Sequence, residues 1–322
     1  MRYFLHAKHL HQTEAWVILH AGSRLARLRV RSNMQIAGVR YLIDEKFTAW
    51  TKNLEIYDRS FFINHPVENH PLDLTLHIRN GSMPDTNAMT CLTVRDSPWL
   101  MYRKENTYCM VFRHPGYDDQ VMWAALFDNE GRHTDIFLNE ETKKIPCPPS
   151  SHHLDQIIIA FTLASRKGAL VHGAGMGLSG KGLVFTGHSG AGKSTLSRLF
   201  SHCETAILLS DERLVIRKMD MGMRVYGTPW HSDAKIANNS DFPLRAIIHL
   251  HHALENKIVR CSSSAALKQI LPQVMIPWYD REKIPPLLDF CGEIIEQIPA
   301  YDFFFKPDQS AVNTILDFAE RL

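Results

Sequence analysis

The stretch 187-GHSGAGKST-195 decides how this chain is read. From Gly187 to Ser194 it matches G-x-x-x-x-G-K-[ST] at every fixed position, the pattern of a loop that wraps phosphate. Gly187, Gly190 and Gly192 let backbone N–H groups turn inward on an anion, and the positive end of a following helix reinforces them. His188, Ser189 and Ala191 complete the cradle, and Thr195 is counted with it. Lys193 has the reach and charge for β- and γ-phosphates, and the Ser194 hydroxyl suits Mg²⁺. The flanks agree. "GLVF" before the loop reads as a buried strand, and "STLSRLF" after it puts Leu196, Leu199 and Phe200 on one helical face. The expected cofactors are therefore ATP and Mg²⁺, held in an α/β P-loop domain.

A nucleotide cradle alone does not separate a kinase from a switch or a motor, so its neighbours matter. "AILLSDERLVI" at 206–216 reads as a hydrophobic strand delivering Asp211 and Glu212, 18 residues after Lys193. Motor and transporter ATPases bring this acid later in the chain, so the short spacing favours a compact kinase. Two carboxylates can divide the labour, one holding Mg²⁺ and the other accepting a hydroxyl proton. Which does which stays open. Upstream, "VHGAGMGLSGKGLVFTG" reads as strand, turn and strand running into the loop, with His172 and Gly173 near its start. Downstream, the Gly227-Thr228-Pro229-Trp230 stretch is either an active-site loop, with Thr228 and Trp230 at a base or acceptor groove, or a plain turn with a packed Trp. Arg245, in an apolar strand, either neutralises transition-state charge or is a paired structural arginine. His249 and His251 share a strand face, but no third ligand stands at metal spacing.

Composition bounds the rest. A chain of 322 residues has room for two domains. Its 36 Lys+Arg against 34 Asp+Glu, with no basic run interleaved with aromatics, argue against a nucleic-acid partner. The six cysteines are scattered with no C-x-x-C spacing, which fits a reducing cytoplasm. The N-terminus lacks a continuous signal-peptide core. The most apolar stretch, 157–164, falls far short of the roughly 20 residues that span a bilayer, so no membrane association is expected.

From 34 to 150 short apolar runs alternate with turn residues, which predicts a mostly antiparallel β domain. "LDLTLHI" alternates with period two around Leu72, Leu74 and Leu76, while "RNGS" at 79–82 and "DNEGRH" at 128–133 read as hairpin turns. "PCPPSS" at 146–151 marks a boundary, because its prolines continue neither helix nor central strand. Residues 151–322 then form the α/β domain, closed by a helix with Val312, Ile315, Leu316, Ala319 and Leu322 on one stripe. Residues 1–33 fit neither block and read as an N-terminal extension, for which a helical arm is a natural form.

The ordering of His172-Gly173, then "GHSGAGKST", then "LLSDERLVI" resembles the catalytic domain of bacterial HPr kinase/phosphorylase, a relative of ATP-dependent phosphoenolpyruvate carboxykinase. "VYGTPW" at 225–230 and "FPLRAIIHL" at 242–250 resemble the branch of HPr-kinase-related proteins found in peptide-modification clusters. Some of that branch, the lasso-peptide kinases, phosphorylate a serine of a precursor peptide. The resemblance covers about 151–322 and implies a serine kinase acting on a peptide or protein. It gives Lys193 to the phosphates, Ser194 to Mg²⁺, Asp211 to acid/base or metal work, and His172 to the meeting point of γ-phosphate and acceptor. Three departures are plain. Asp211-Glu212 stands where the family commonly has Asp-Asp, Thr195 stands where HPr kinase has Glu, and the arginine-bearing loop that engages HPr is not found. HPr as substrate and phosphorylase activity are therefore unsupported.

Two other functions remain in play. The loop also resembles that of adenylylsulfate kinase and other small-molecule kinases, although these lack a His-Gly hairpin ahead of it. A non-catalytic, nucleotide-dependent regulatory module is the other. The β domain is a natural platform for recruiting a peptide. Nothing in the sequence excludes a homo-oligomer.

Overall fold

The computed structural model describes residues 2–6, 16–20, 30–45, 59–63, 72–93, 99–113, 120–139 and 154–322. The chain divides into two compact units, Met1–Thr162 and Leu163–Leu322, each built on a large sheet in a mixed α/β protein.

The first unit holds β1 (Arg2–His6), β2 (Trp16–His20), β3 (Val30–Ile36), β4 (Val39–Glu45), β5 (Leu74–Asn80), β6 (Thr90–Cys91), β7 (Trp99–Lys104), β8 (Thr107–Arg113), β9 (Val121–Asp128) and β10 (His133–Leu138). They form one sheet in the order β1-β2-β3-β4-β5-β10-β9-β8-β7-β6. Pairing is antiparallel except around β5, which runs parallel to both β4 and β10. The "RNGS" hairpin is therefore corrected: among the described residues β5 pairs with β4 and β10, not with β6, the strand that follows it. Its buried stripe is Leu74, Leu76 and Ile78, while Leu72 is exposed before the strand begins. "DNEGRH" does turn a hairpin, and its first residue builds it. The Asp128 carboxylate accepts the N–H groups of Glu130, Arg132 and His133 at 2.9, 3.0 and 3.1 Å.

Other expectations also shift. The described parts of residues 1–33 are strands that join this sheet, not a helical arm, and Met34 lies inside β3 rather than opening a domain. Between β4 and β5, Arg59–Phe61 is a 3-10 turn rather than part of a strand. The boundary at "PCPPSS" lies outside the described residues. The two compact units divide between Thr162 and Leu163, within α1 (Leu154–Ala164), whose Phe161 packs edge-on against Tyr108 and Phe127, with ring centroids 5.0 and 5.3 Å apart.

The second unit alternates β11 (Gly168–His172), β12 (Ala174–Leu178), β13 (Lys181–Thr186), α2 (Lys193–Phe200), β14 (Ala206–Ser210), β15 (Arg213–Met219), β16 (Gly222–Tyr226), β17 (Asp241–His252), β18 (Lys257–Arg260), α3 (Ser263–Ile270), α4 (Ile284–Gln297), β19 (Ala300–Phe305) and α5 (Gln309–Glu320). The strand order runs β11-β15-β16-β17-β13-β12-β14, with β19 against β17 and β18 at the far edge. Alternation sorts the core into two layers. Leu183 and Phe185 of β13 join Leu196 and Phe200 of α2 and Val312 and Ile315 of α5, while Val184 joins Ala266 and Ile270 of α3 and Ile294 of α4.

The C-terminal stripe is docked as its spacing predicts, and Lys181 Nζ donates to the Ala319 carbonyl at 2.8 Å near the end of α5. Among the described residues, no helix is long and apolar enough to cross a membrane.

Candidate functional site

Strands β13, β17 and β19 are mutually parallel, so their carboxyl ends lie together. That end of an open sheet is where ligands commonly sit. There the chain leaves β13 at Thr186, turns through residues 187–192 and enters α2. Gly190 and Gly192 hold φ of +79° and +98°, values that side chains resist. Gly192 is also the N-cap, with no side chain to spend on capping, and the first helical bond is Leu196 N–H to its carbonyl at 2.8 Å. The amides of Lys193, Ser194 and Thr195 are thus left without intrahelical acceptors. His188, Ser189 and Gly190 are exposed at the mouth, and Ala191 is buried beneath them.

Lys193 is buried and folds back over the loop, its Nζ donating to the Gly187 and His188 carbonyls at 2.9 and 3.3 Å. Burial pushes its pKa down, the Glu212 carboxylate opposes the shift, and Arg213 adds to it. Beneath the loop, Thr186 Oγ1 meets His249 Nδ1 at 3.1 Å. Burial lowers the His249 pKa, with His251 acting in the same sense and Asp302 against it, which favours a neutral ring. His251 is held by Asp302 at 2.7 Å, and Asp302 also accepts from Gln269 at 2.8 Å and Cys261 at 3.1 Å. Among the described residues, no three His, Cys, Asp or Glu side chains converge as a metal cage.

The acidic pair is split. Expected on one strand, Asp211 and Glu212 form a corner between β14 and β15, shaped by the Ser210 hydroxyl. Ser210 Oγ donates to the Trp230 carbonyl at 2.9 Å and accepts the N–H groups of Glu212 and Arg213, each at 3.2 Å. Asp211 is 1% exposed and is committed to the segment 232–236. Its Oδ1 accepts from Ser232 N at 3.0 Å and Ile236 N at 3.4 Å, and its Oδ2 from Ser232 Oγ at 2.5 Å and Ala234 N at 2.9 Å. Four donors fill the roughly four lone-pair positions of a carboxylate. As placed, Asp211 is a clasp with no lone pair left for Mg²⁺ or an acceptor proton, which departs from the role expected of it.

Glu212 has the opposite situation. Its Oε1 lies 3.4 Å from His172 Nδ1 and 3.8 Å from Arg213 Nε. The His172 ring, above all, holds the Glu212 carboxyl below the ordinary glutamate range; burial opposes this, and Arg213 and Lys193 reinforce it. Neighbouring β11 and β15 set His172 opposite Arg213, and the Gly173 N–H bonds the Glu212 carbonyl at 3.1 Å. Glycine is required after His172, because a Cβ at 173 would sit 2.8 Å from the Phe185 carbonyl oxygen.

The 227–230 stretch resolves toward structure. Thr228 is fully buried and its hydroxyl donates to the Arg213 carbonyl at 2.6 Å; Trp230 is also buried. Neither is open to a ligand as placed. Arg245 is exposed on β17, level with the start of β13, whereas the loop leaves the other end. Four residues of strand, about 13 Å, separate it from His249. It is not brought to the site. Sequence reading missed His252, which reaches the loop from the end of β17, and Ser210, which makes the corner.

No family model matches the chain, and no curated protein matches it either.

Proposed function

We propose that this chain is an ATP- and Mg²⁺-dependent kinase of the HPr-kinase-related kind, transferring the γ-phosphoryl group to a hydroxyl, with a serine of a peptide or protein as acceptor. One observation carries the reading. A glycine-capped helix start and a buried lysine folded over the loop lie beside an ionised glutamate held by a histidine. Such a site has positive charge for a polyphosphate on one side and a proton acceptor on the other.

The residues present suit the nucleotide. The amides at the start of α2 and the Lys193 ammonium would hold phosphate oxygens, with Lys193 exchanging the Gly187 and His188 carbonyls for them. Ser194 would hold Mg²⁺, whose other ligands in such sites are largely phosphate oxygens and water, so a protein cage is not needed. Bound ATP supplies the phosphoryl group, and Mg²⁺ offsets charge on its oxygens.

Glu212 takes the role sequence reading shared between two acids. With its carboxyl drawn below the ordinary glutamate range chiefly by His172, it orients the acceptor hydroxyl and receives its hydrogen. A low pKa makes it a weak base, but a loose phosphoryl-transfer transition state asks more for alignment than for full deprotonation. With ATP as the donor, the cytoplasm is the compartment this proposal assigns to the reaction.

The test is transfer of label from γ-labelled ATP to serine-containing peptides by wild type and Lys193→Met. The reading requires a loss of at least about 100-fold in the variant. Equal transfer by both proteins rejects it.

A further inference from the structure

The phosphate loop is propped by a residue 62 positions away. His252, at the end of β17, brings its Nε2 within 2.7 Å of the Gly190 carbonyl. A carbonyl only accepts, so Nε2 carries the proton and His252 is the donor. Neutral and protonated rings both keep that donor. The ring stacks on Phe305 of β19, with centroids 5.6 Å apart and planes at 26°. The same two rings close under the second left-handed glycine: a Cβ on Gly192 would meet Phe305 Cζ at 2.5 Å and His252 Cε1 at 3.2 Å. Gly190 is thus held by the His252 ring and Gly192 lies against both rings, which come from two parallel strands in register, with His252 opposite Phe305.

We infer that His252 is a positioning residue for the polyphosphate of the nucleotide: by holding the Gly190 carbonyl it keeps the loop open in the shape that receives phosphate before any ligand arrives. It rests on the nucleotide reading above. Its effect falls on binding of phosphate-bearing ligands and spares the nucleoside.

The experiment titrates full-length wild type, His252→Phe and His252→Gln with a fluorescent ATP analogue, and with the matching fluorescent adenosine. His252→Phe keeps a ring on Phe305 but removes the donor. His252→Gln restores an N–H at similar reach. Loss of one hydrogen bond predicts roughly fivefold weaker ATP-analogue binding by His252→Phe. His252→Gln should stay within about twofold of wild type, and adenosine should bind all three alike. Equal ATP-analogue affinity in wild type and His252→Phe overturns the inference alone. A parallel loss of adenosine binding also overturns it, since the defect would then be general. Wild type that binds no ATP analogue overturns the nucleotide reading, and this inference with it.

Discussion

Glu212 Oε1 stands 3.4 Å from His172 Nδ1, and the imidazole is the chief reason that this carboxyl ionises below its ordinary range. The folded pKa lies below the unfolded value of about 4.3. Glu212 therefore stabilises the fold above that value and loses the contribution as pH falls through the folded pKa. His172→Ala should move the acid limb of the rate profile to higher pH, because it removes the largest lowering influence. Initial rates across an acidic pH series check this, and an unmoved limb would show that His172 does not govern Glu212.

Asp211 and Glu212 should fail in different ways. Glu212→Gln keeps the corner and should lose transfer while melting within a few degrees of wild type. Asp211→Asn puts an amide among donors that need an acceptor, and should cost about 3 kcal/mol. Denaturant titration beside turnover separates them. A stable but inactive Asp211→Asn would return Asp211 to the chemistry.

Two glycines make a second contrast. At Gly227 a Cβ would lie 1.9 Å from the Asn238 carbonyl oxygen and 2.8 Å from that of Leu209, both backbone atoms that cannot swing away. Gly227→Ala should lose more than about 3 kcal/mol. Gly190 has nothing within 4 Å of that position, only a φ of +79° to defend. Gly190→Ala should fold at a cost of about 1–2 kcal/mol and show its defect in ATP affinity. Melting curves and nucleotide titration of both variants decide it.

Arg245→Ala should leave the rate of transfer within about twofold of wild type, since the side chain is exposed and distant from the loop. A large loss would mean that Arg245 meets the acceptor.

Much of the glycine-rich loop and its flanks was legible in the sequence. Gly187 to Ser194, the strand before them and the helix after them follow local rules, so a nine-residue window sufficed. The acidic pair was legible only in part. The strand pattern of 206–216 was readable, but the corner that breaks it at Asp211 and Glu212 is made by Ser210 bonding the Trp230 carbonyl 20 positions later. What the sequence could not display is what each side chain meets. Asp211 is claimed by donors 21 to 25 positions later and Gly190 by a histidine 62 positions later. In the first unit, β5 carried a correct strand pattern, but its parallel neighbours are set by topology rather than by the glycine after Asn80.

Strand β17 runs for twelve residues, meeting β16 at its start, β13 along its middle and β19 at its end. Its last turn of pleat presents His249 to Thr186 and His252 to Gly190. A one-residue insertion in it ahead of His249 would exchange its two faces beyond that point, leaving the nine-residue motif intact while withdrawing both rings. The motif is thus not portable. Transplanted into another strand-to-helix junction, it would arrive without its foundations, and sequence searches that score the nine residues alone would count as equal loops that are braced and loops that are not.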